Sequence, residues 1–119
     1  MKEQSISEID KKIIKIKKKL GDLGDIRPGS LTKQYNICGK EGCRCKNKIN
    51  PIKHGPYYNL SYTYKGRGTS AYIPELYVHE LKIKIDNYSK MKKLIDEWIE
   101  LSILKSKIEI KLIKKNNKK

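Results

Sequence analysis

Three cysteines, Cys38, Cys43 and Cys45, lie within eight residues of one another, and His54 follows nine positions after the last. No other feature restricts the fold so tightly. An odd number of thiols packed this closely does not read as a disulfide framework, which is normally even in number and dispersed along a secreted chain. It reads instead as a ligand set. Zinc takes four tetrahedral ligands drawn from thiolate and imidazole, and three sulfurs with one imidazole complete that set, leaving no open position for water or substrate. Gly39 and Gly42 allow the tight turn that brings sulfurs five residues apart to one ion. Lys40 and Arg44 favour the thiolate forms, and residues 46–53 give His54 slack to swing back. The Cys-x4-Cys-x-Cys spacing is not that of a common finger, so it points to a metal more than to a module. His79 is a rival fourth ligand. The alternative is three reduced thiols in a loop, with His54 capping a turn.

Hydrophobic periodicity supplies the elements around this cluster. Ile6, Ile9, Ile13, Ile16 and Leu20 recur at steps of three and four, which predicts a helix over residues 5–20 with a narrow apolar seam. Ser5 followed by Glu8 fits a capping box at its start, with Ser7 an alternative cap, and Gly21 and Gly24 end it. Residues 21–30 read as a loop and Leu31 to Ile37 as a short strand. Tyr57 to Tyr64 alternates, placing Tyr58, Leu60, Tyr62 and Tyr64 on one face and Asn59, Ser61 and Thr63 on the other. The Lys65–Gly68 turn then leads into a second strand, Thr69 to Ile73, stopped by Pro74. From Leu76 to Ile113 no proline interrupts a second helical pattern, and its stripe is too long to be buried on a two-stranded hairpin. The first helix, packed antiparallel, is its obvious partner, and a second copy of the chain in a homodimer is the next. The expected fold class is α+β. It comprises an N-terminal helix (1–25), a zinc-knuckle and hairpin head (26–75), a long helix (76–113) that can pair with the first as an antiparallel coiled coil, and a disordered basic tail (114–119).

Arg27-Pro28-Gly29-Ser30-Leu31, Tyr35, Cys38-Gly39-Lys40, Cys43-Arg44-Cys45 and His54-Gly55-Pro56-Tyr57-Tyr58 together resemble an uncharacterised family of small bacterial and archaeal proteins. That family carries a CGKxxCRC…HGPY motif ahead of a hairpin and a long helix. The resemblance spans roughly residues 26–104 and leaves the N-terminal helix and lysine-rich tail outside; it implies no particular activity. At the level of fold alone, the hairpin followed by a helix is also similar to the three-stranded arm-binding modules of some phage integrases.

Charge narrows the function. The chain has 28 Lys and Arg against 13 Asp and Glu, a formal net charge of +15, which favours polyanionic partners. Residues 1–37 carry +4, residues 38–74 carry +6 and residues 75–119 carry +5; the middle third has the single acid Glu41. Only three cations are Arg, so attraction to a phosphate backbone is expected more than bidentate base reading. Lys40, Arg44, Lys46, Lys48, Lys53, Lys65 and Arg67, together with Tyr57, are the candidate nucleic-acid contacts. Lysines follow phosphates and tyrosine faces stack on bases. The competing reading of the hairpin tyrosines is an inner face packed on the long helix. No phosphate-cradling glycine loop or nucleophile elbow is present, and Asp96, Glu97 and Glu100 occupy ordinary helical ion-pair positions near Lys93. The expectation is a non-catalytic zinc protein that binds nucleic acid, DNA ahead of RNA, with no small-molecule substrate. A helical protein-interaction adaptor is the alternative. With no apolar signal region and no run of ~18 apolar residues, a cytoplasmic protein without membrane contact is expected.

Overall fold

The computed structural model describes residues 5–37, 40–48 and 52–117. The seam of isoleucines produces the helix it predicts, α1, over Ile6–Asp22, though it runs through Gly21 to Asp22 rather than ending at the glycine. Ser5 caps it, its Oγ accepting from the Glu8 amide at 3.2 Å, which satisfies one of the amides a helix start leaves without a partner. Three strands follow: β1 (Ser30–Asn36), β2 (His54–Tyr64) and β3 (Arg67–Ile73). They form one antiparallel sheet in the order β1-β2-β3. A second helix, α2, runs without interruption over Glu75–Asn117, so the fold is α+β as expected. The sheet has one strand more than the hairpin alone.

By contacts the chain divides into two units. One joins Met1–Asp25 to Asn87–Lys119, and the other is Ile26–Asp86. In the helical unit, Ile9 and Ile16 are buried while Ile6, Ile13 and Leu20 are half-buried, so the seam is the face that packs. Asp10 Oδ1 meets Lys105 Nζ at 2.7 Å, Lys17 Nζ stands 5.2 Å from the Trp98 ring centre, and the Asn87 amide donates to the Asp25 carbonyl at 2.9 Å. Ascending positions on α1 meet descending positions on α2, which makes the two antiparallel. A seven-residue step from Asp10 to Lys17 is matched by a seven-residue step from Lys105 to Trp98, the spacing of a two-turn repeat.

In the sheet unit, Leu60, Ile73, Val78 and Leu81 form the buried core, with Leu31, Tyr58, Tyr62 and Ile85 against it. Register explains the membership. Leu31, Leu60 and Ala71 lie abreast, as do Lys33, Tyr58 and Ile73, and residues two apart on a strand share a face. Tyr58, Leu60 and Tyr62 are thus inner-face residues, as the alternation predicts. Tyr64 departs from it, remaining 56% exposed. It pairs with Arg67 at the last position before the turn, beyond the core residues, and its ring lies 5.3 Å from Lys65 Nζ. The turn itself is tighter than expected. Lys65 and Gly66 both have positive φ (51° and 77°), the requirement of a two-residue hairpin loop, so β3 begins at Arg67 rather than Thr69.

Gly29 secures the entry to the sheet. Its φ is 141°, and a Cβ there would lie 2.6 Å from Leu60 Cδ1, so only glycine lets the backbone pass over the core leucine. The preceding Arg27 amide donates to the Lys84 carbonyl of α2 at 3.1 Å, and the Arg27 guanidinium stacks 4.1 Å from the Tyr62 ring centre. At its far end α2 extends beyond Ile113 to Asn117, taking up four residues expected in the tail. Lysines are good helix formers, and Lys114 and Lys115 in the last turn complement the helix dipole. Among the described residues, no helix is long and apolar enough to cross a membrane.

Candidate metal centre

Among its described residues, the loop between β1 and β2 contains one short 3-10 helix, Arg44–Lys46, with Cys43 as its N-cap residue. The Lys46 amide donates to the Cys43 carbonyl at 3.0 Å, and the Ile52 amide donates to the Arg44 carbonyl at 2.9 Å. These bonds fold the loop back on itself and fix Cys43 and Cys45 one residue apart on a tight bend. Gly42, with φ of 77°, supplies the left-handed residue that turns the chain into it.

His54 reaches the same place from the sheet. It is the first residue of β2 and pairs with Asn36 across a bulge between Gln34 and Asn36. Gly55 makes the bulge possible. Its φ is 133°, and a Cβ there would lie 2.8 Å from the Gln34 carbonyl oxygen. The bulge redirects the strand, a common use of bulges beside functional sites.

Cys43 Sγ, Cys45 Sγ and a ring nitrogen of His54 all lie within 4.8 Å of one another. Cys43 Sγ stands 3.0 Å from His54 Nε2. On a tetrahedral zinc, sulfur and nitrogen ligand atoms stand about 3.6 Å apart, given bonds of ~2.3 and ~2.0 Å, so small side-chain rotations place all three on one ion. Cys45 is 1% exposed and Cys43 half-buried. Both are thiols rather than halves of a disulfide. Two sulfurs and an imidazole nitrogen are soft to borderline donors, the set that suits zinc-like cations. A lone thiol–imidazole pair could instead be a nucleophile with its base, but the second sulfur, buried beside the pair, is the donor a metal needs.

Cys38 lies outside the described residues. His79 is exposed on α2 and does not join the cluster, which takes His54. Lys40, Arg44, Lys46, Lys48 and Lys53 are exposed in the segment that holds Cys43, Cys45 and His54, and Tyr57 is half-buried three residues beyond His54. Lys65 and Arg67 are also exposed, but at the other end of β2, about 33 Å along a strand rising ~3.3 Å per residue. The candidate cations therefore form two groups, one at each end of the sheet.

Between them lies a surface whose middle strand the alternation of Tyr57 to Tyr64 marks, with Asn59, Ser61 and Thr63 on one face. The sheet face opposite the core carries Ser30, Thr32 and Gln34 on β1, Tyr57, Asn59, Ser61 and Thr63 on β2, and Ser70 and Tyr72 on β3. Asn59 Nδ2 donates to Gln34 Oε1 at 3.0 Å, the Thr32 hydroxyl donates to the Asn59 carbonyl at 3.4 Å, and Ser61 and Ser70 hydroxyls meet at 3.4 Å. Tyr72, cross-strand from Asn59, is 64% exposed. On β1 the polar alternation of Ser30, Thr32 and Gln34 was the available signal, but it identifies a face only once β1 is known to pair with β2.

No curated protein and no solved structure matches the chain. A family profile described as Domain of unknown function (DUF6788) matches residues 6–83. That span takes in α1, which the motif resemblance left outside, the three strands, the Cys43–Cys45–His54 cluster and the first turns of α2, and the chain belongs to this family.

Proposed function

We propose that this is a non-catalytic, zinc-stabilised nucleic-acid-binding protein, with DNA favoured over RNA. The supporting observation is the convergence of Cys43, Cys45 and His54 in the most basic third of the sequence. Cys38 is the fourth ligand in this reading, since it belongs to the Cys38-Gly39-Lys40…Cys43-Arg44-Cys45 signature that precedes His54-Gly55-Pro56-Tyr57. Zinc then holds a loop of Lys, Asn and Pro that has little apolar content to order it. The loop presents Lys40, Arg44, Lys46, Lys48 and Lys53 at one end of an uncharged, hydroxyl- and amide-lined sheet face. Lys65 and Arg67 stand at the other end. Phosphates contact the two cation groups, while Tyr57 and Tyr72 offer ring faces between them.

Two measurements test this. Protein purified without added metal is expected to contain one zinc per chain; well under one, with the loop still ordered, counts against the metal. With about five phosphates contacted, log K for a DNA duplex falls with log salt at a slope near −4 to −5. Charge reversal at Lys53, Lys65 and Arg67 flattens that slope. Affinity that does not change with salt rejects the electrostatic reading. A second reading, a protein-interaction adaptor, is favoured by one observation, the exposed Ile99, Ile103, Ile110 and Ile113 on α2.

A further inference from the structure

In the helical unit, α2 carries a second apolar face that α1 does not cover. Ile95, Trp98, Ile99, Ser102, Ile103 and Ser106 line a shallow groove along it, and Ile110 and Ile113 continue the stripe. Ile99, Ile103, Ile110 and Ile113 are 52%, 51%, 47% and 61% exposed. At 3.6 residues per turn these side chains fall on one side of the helix. The contacts to α1 at Trp98 and Lys105, and that of Asn87 to Asp25 beyond the end of α1, fall along one edge of it and beyond.

The opposite edge of the stripe is charged in an ordered way. Asp96 and Glu100 flank its first half, and Lys107 and Lys114 its second half; all four are exposed. Within one helix this arrangement is only partly matched: Asp96 has Lys92 and Lys93 one turn before it, whereas Glu100 adjoins Asp96 and Glu97, and Lys107 adjoins Lys111, like charges three or four residues apart. Against an antiparallel copy it becomes complementary. Antiparallel helices bring the same edge of each together. Pairing about a point near residue 104, midway along the stripe, sets Glu100 opposite Lys107 of the other copy and Asp96 opposite its Lys114. The small side chains Ser102 and Ser106 lie at that midpoint, where the two backbones approach most closely. A parallel pair does not match these charges.

We propose that this face of α2 docks a second copy of the same chain, antiparallel and two-fold symmetric. An isologous contact of this kind is self-complementary by construction. It is independent of the zinc and nucleic-acid reading.

The test is sedimentation equilibrium of the full-length, nucleic-acid-free protein at about 0.15 M salt, a condition that leaves close charge pairs only partly screened. The wild type is expected to dimerise, with Glu100→Lys and Lys107→Glu each weakening the dimer tenfold or more. The double variant E100K/K107E restores the opposite-charge pairs in reversed order and returns the affinity to within about threefold of wild type. Residues 100 and 107 are two turns apart in one helix, so rescue reports a contact between chains. Ile103→Asp abolishes the dimer while far-ultraviolet circular dichroism stays unchanged. A wild type that remains monomeric at several hundred micromolar overturns the proposal and leaves the stripe to a different protein. So does a dimer indifferent to both single reversals, or one that the double variant fails to restore.

Discussion

Among the described glycines, Gly29 and Gly55 are the two positions where a single methyl group is least tolerable. At Gly29 a Cβ meets Leu60 Cδ1 at 2.6 Å, and at Gly55 it meets the Gln34 carbonyl at 2.8 Å, both on backbones of positive φ. Gly29→Ala adds overpacking of a core leucine to backbone strain and is expected to cost about 2–4 kcal/mol in urea unfolding. Gly66 has φ of 77° and nothing within 4 Å. Gly66→Asn therefore meets only the conformational term, which asparagine tolerates, and a loss of less than about 1 kcal/mol separates the two cases. Gly55→Ala acts on the site as well as on the fold. It displaces the strand start that presents His54, so zinc content falls together with stability. Arg27→Ala removes the guanidinium from the Tyr62 face, with an expected loss of about 1 kcal/mol.

The two helices were legible in the sequence because their signals are local. Ile6 to Leu20 repeats at the helical period, and Ser5 caps α1 where its spacing to Glu8 places it. Ser5→Ala should lower stability by about 1 kcal/mol, checked by thermal unfolding. β1 was legible only as a strand, since its partners, from Ser61 opposite Ser30 to His54 opposite Asn36, are remote in sequence and no local pattern names them; of the outer sheet face only Asn59, Ser61 and Thr63 were legible, and the β1 side was hidden with that pairing. The metal cluster was half legible. Residue types and spacing point to thiolate and imidazole ligation, whereas the bulge opposite Gly55 that carries His54 to Cys43 depends on the sheet. Tyr64 shows the limit of alternation, which assigns a side but not the reach of the helix that covers it. Core energetics follow the sheet register. Leu81 is 1% exposed within the cluster of Leu60, Ile73 and Val78, so Leu81→Ala is expected to cost about 3 kcal/mol. The Lys105–Asp10 pair behaves differently. The Asp10 carboxylate bonded to it raises the Lys105 ammonium above its ordinary value. The contribution is present below the usual lysine pKa and is lost as pH climbs through the raised one, so no change is expected near neutrality.

At the scale of the whole molecule, two units share one continuous helix but are held by different means. The helical unit rests on the Ile9 and Ile16 seam, and the sheet unit on Leu60, Ile73, Val78 and Leu81. Among the described residues, neither apolar set includes one between Lys40 and His54, so a metal held by Cys43, Cys45 and His54 would be a support separate from the two cores. Chromophores are divided in the same way. The single tryptophan, Trp98, lies in the helical unit beneath Lys17, while seven of the eight tyrosines fall within Ile26–Asp86. Tyr35 and Tyr57 stand next to the bulge at His54. Removing zinc with a chelator is therefore expected to reduce the near-ultraviolet tyrosine signal and expose the 40–54 loop to protease. Trp98 emission and far-ultraviolet helicity should be unchanged, because the seam and the core persist without the ion. Cys45→Ser reproduces the chelator's effect, as the buried sulfur is lost from the ligand set. Should Trp98 emission shift in step with the tyrosine signal, the ion supports both units, and the separation of metal from core fails.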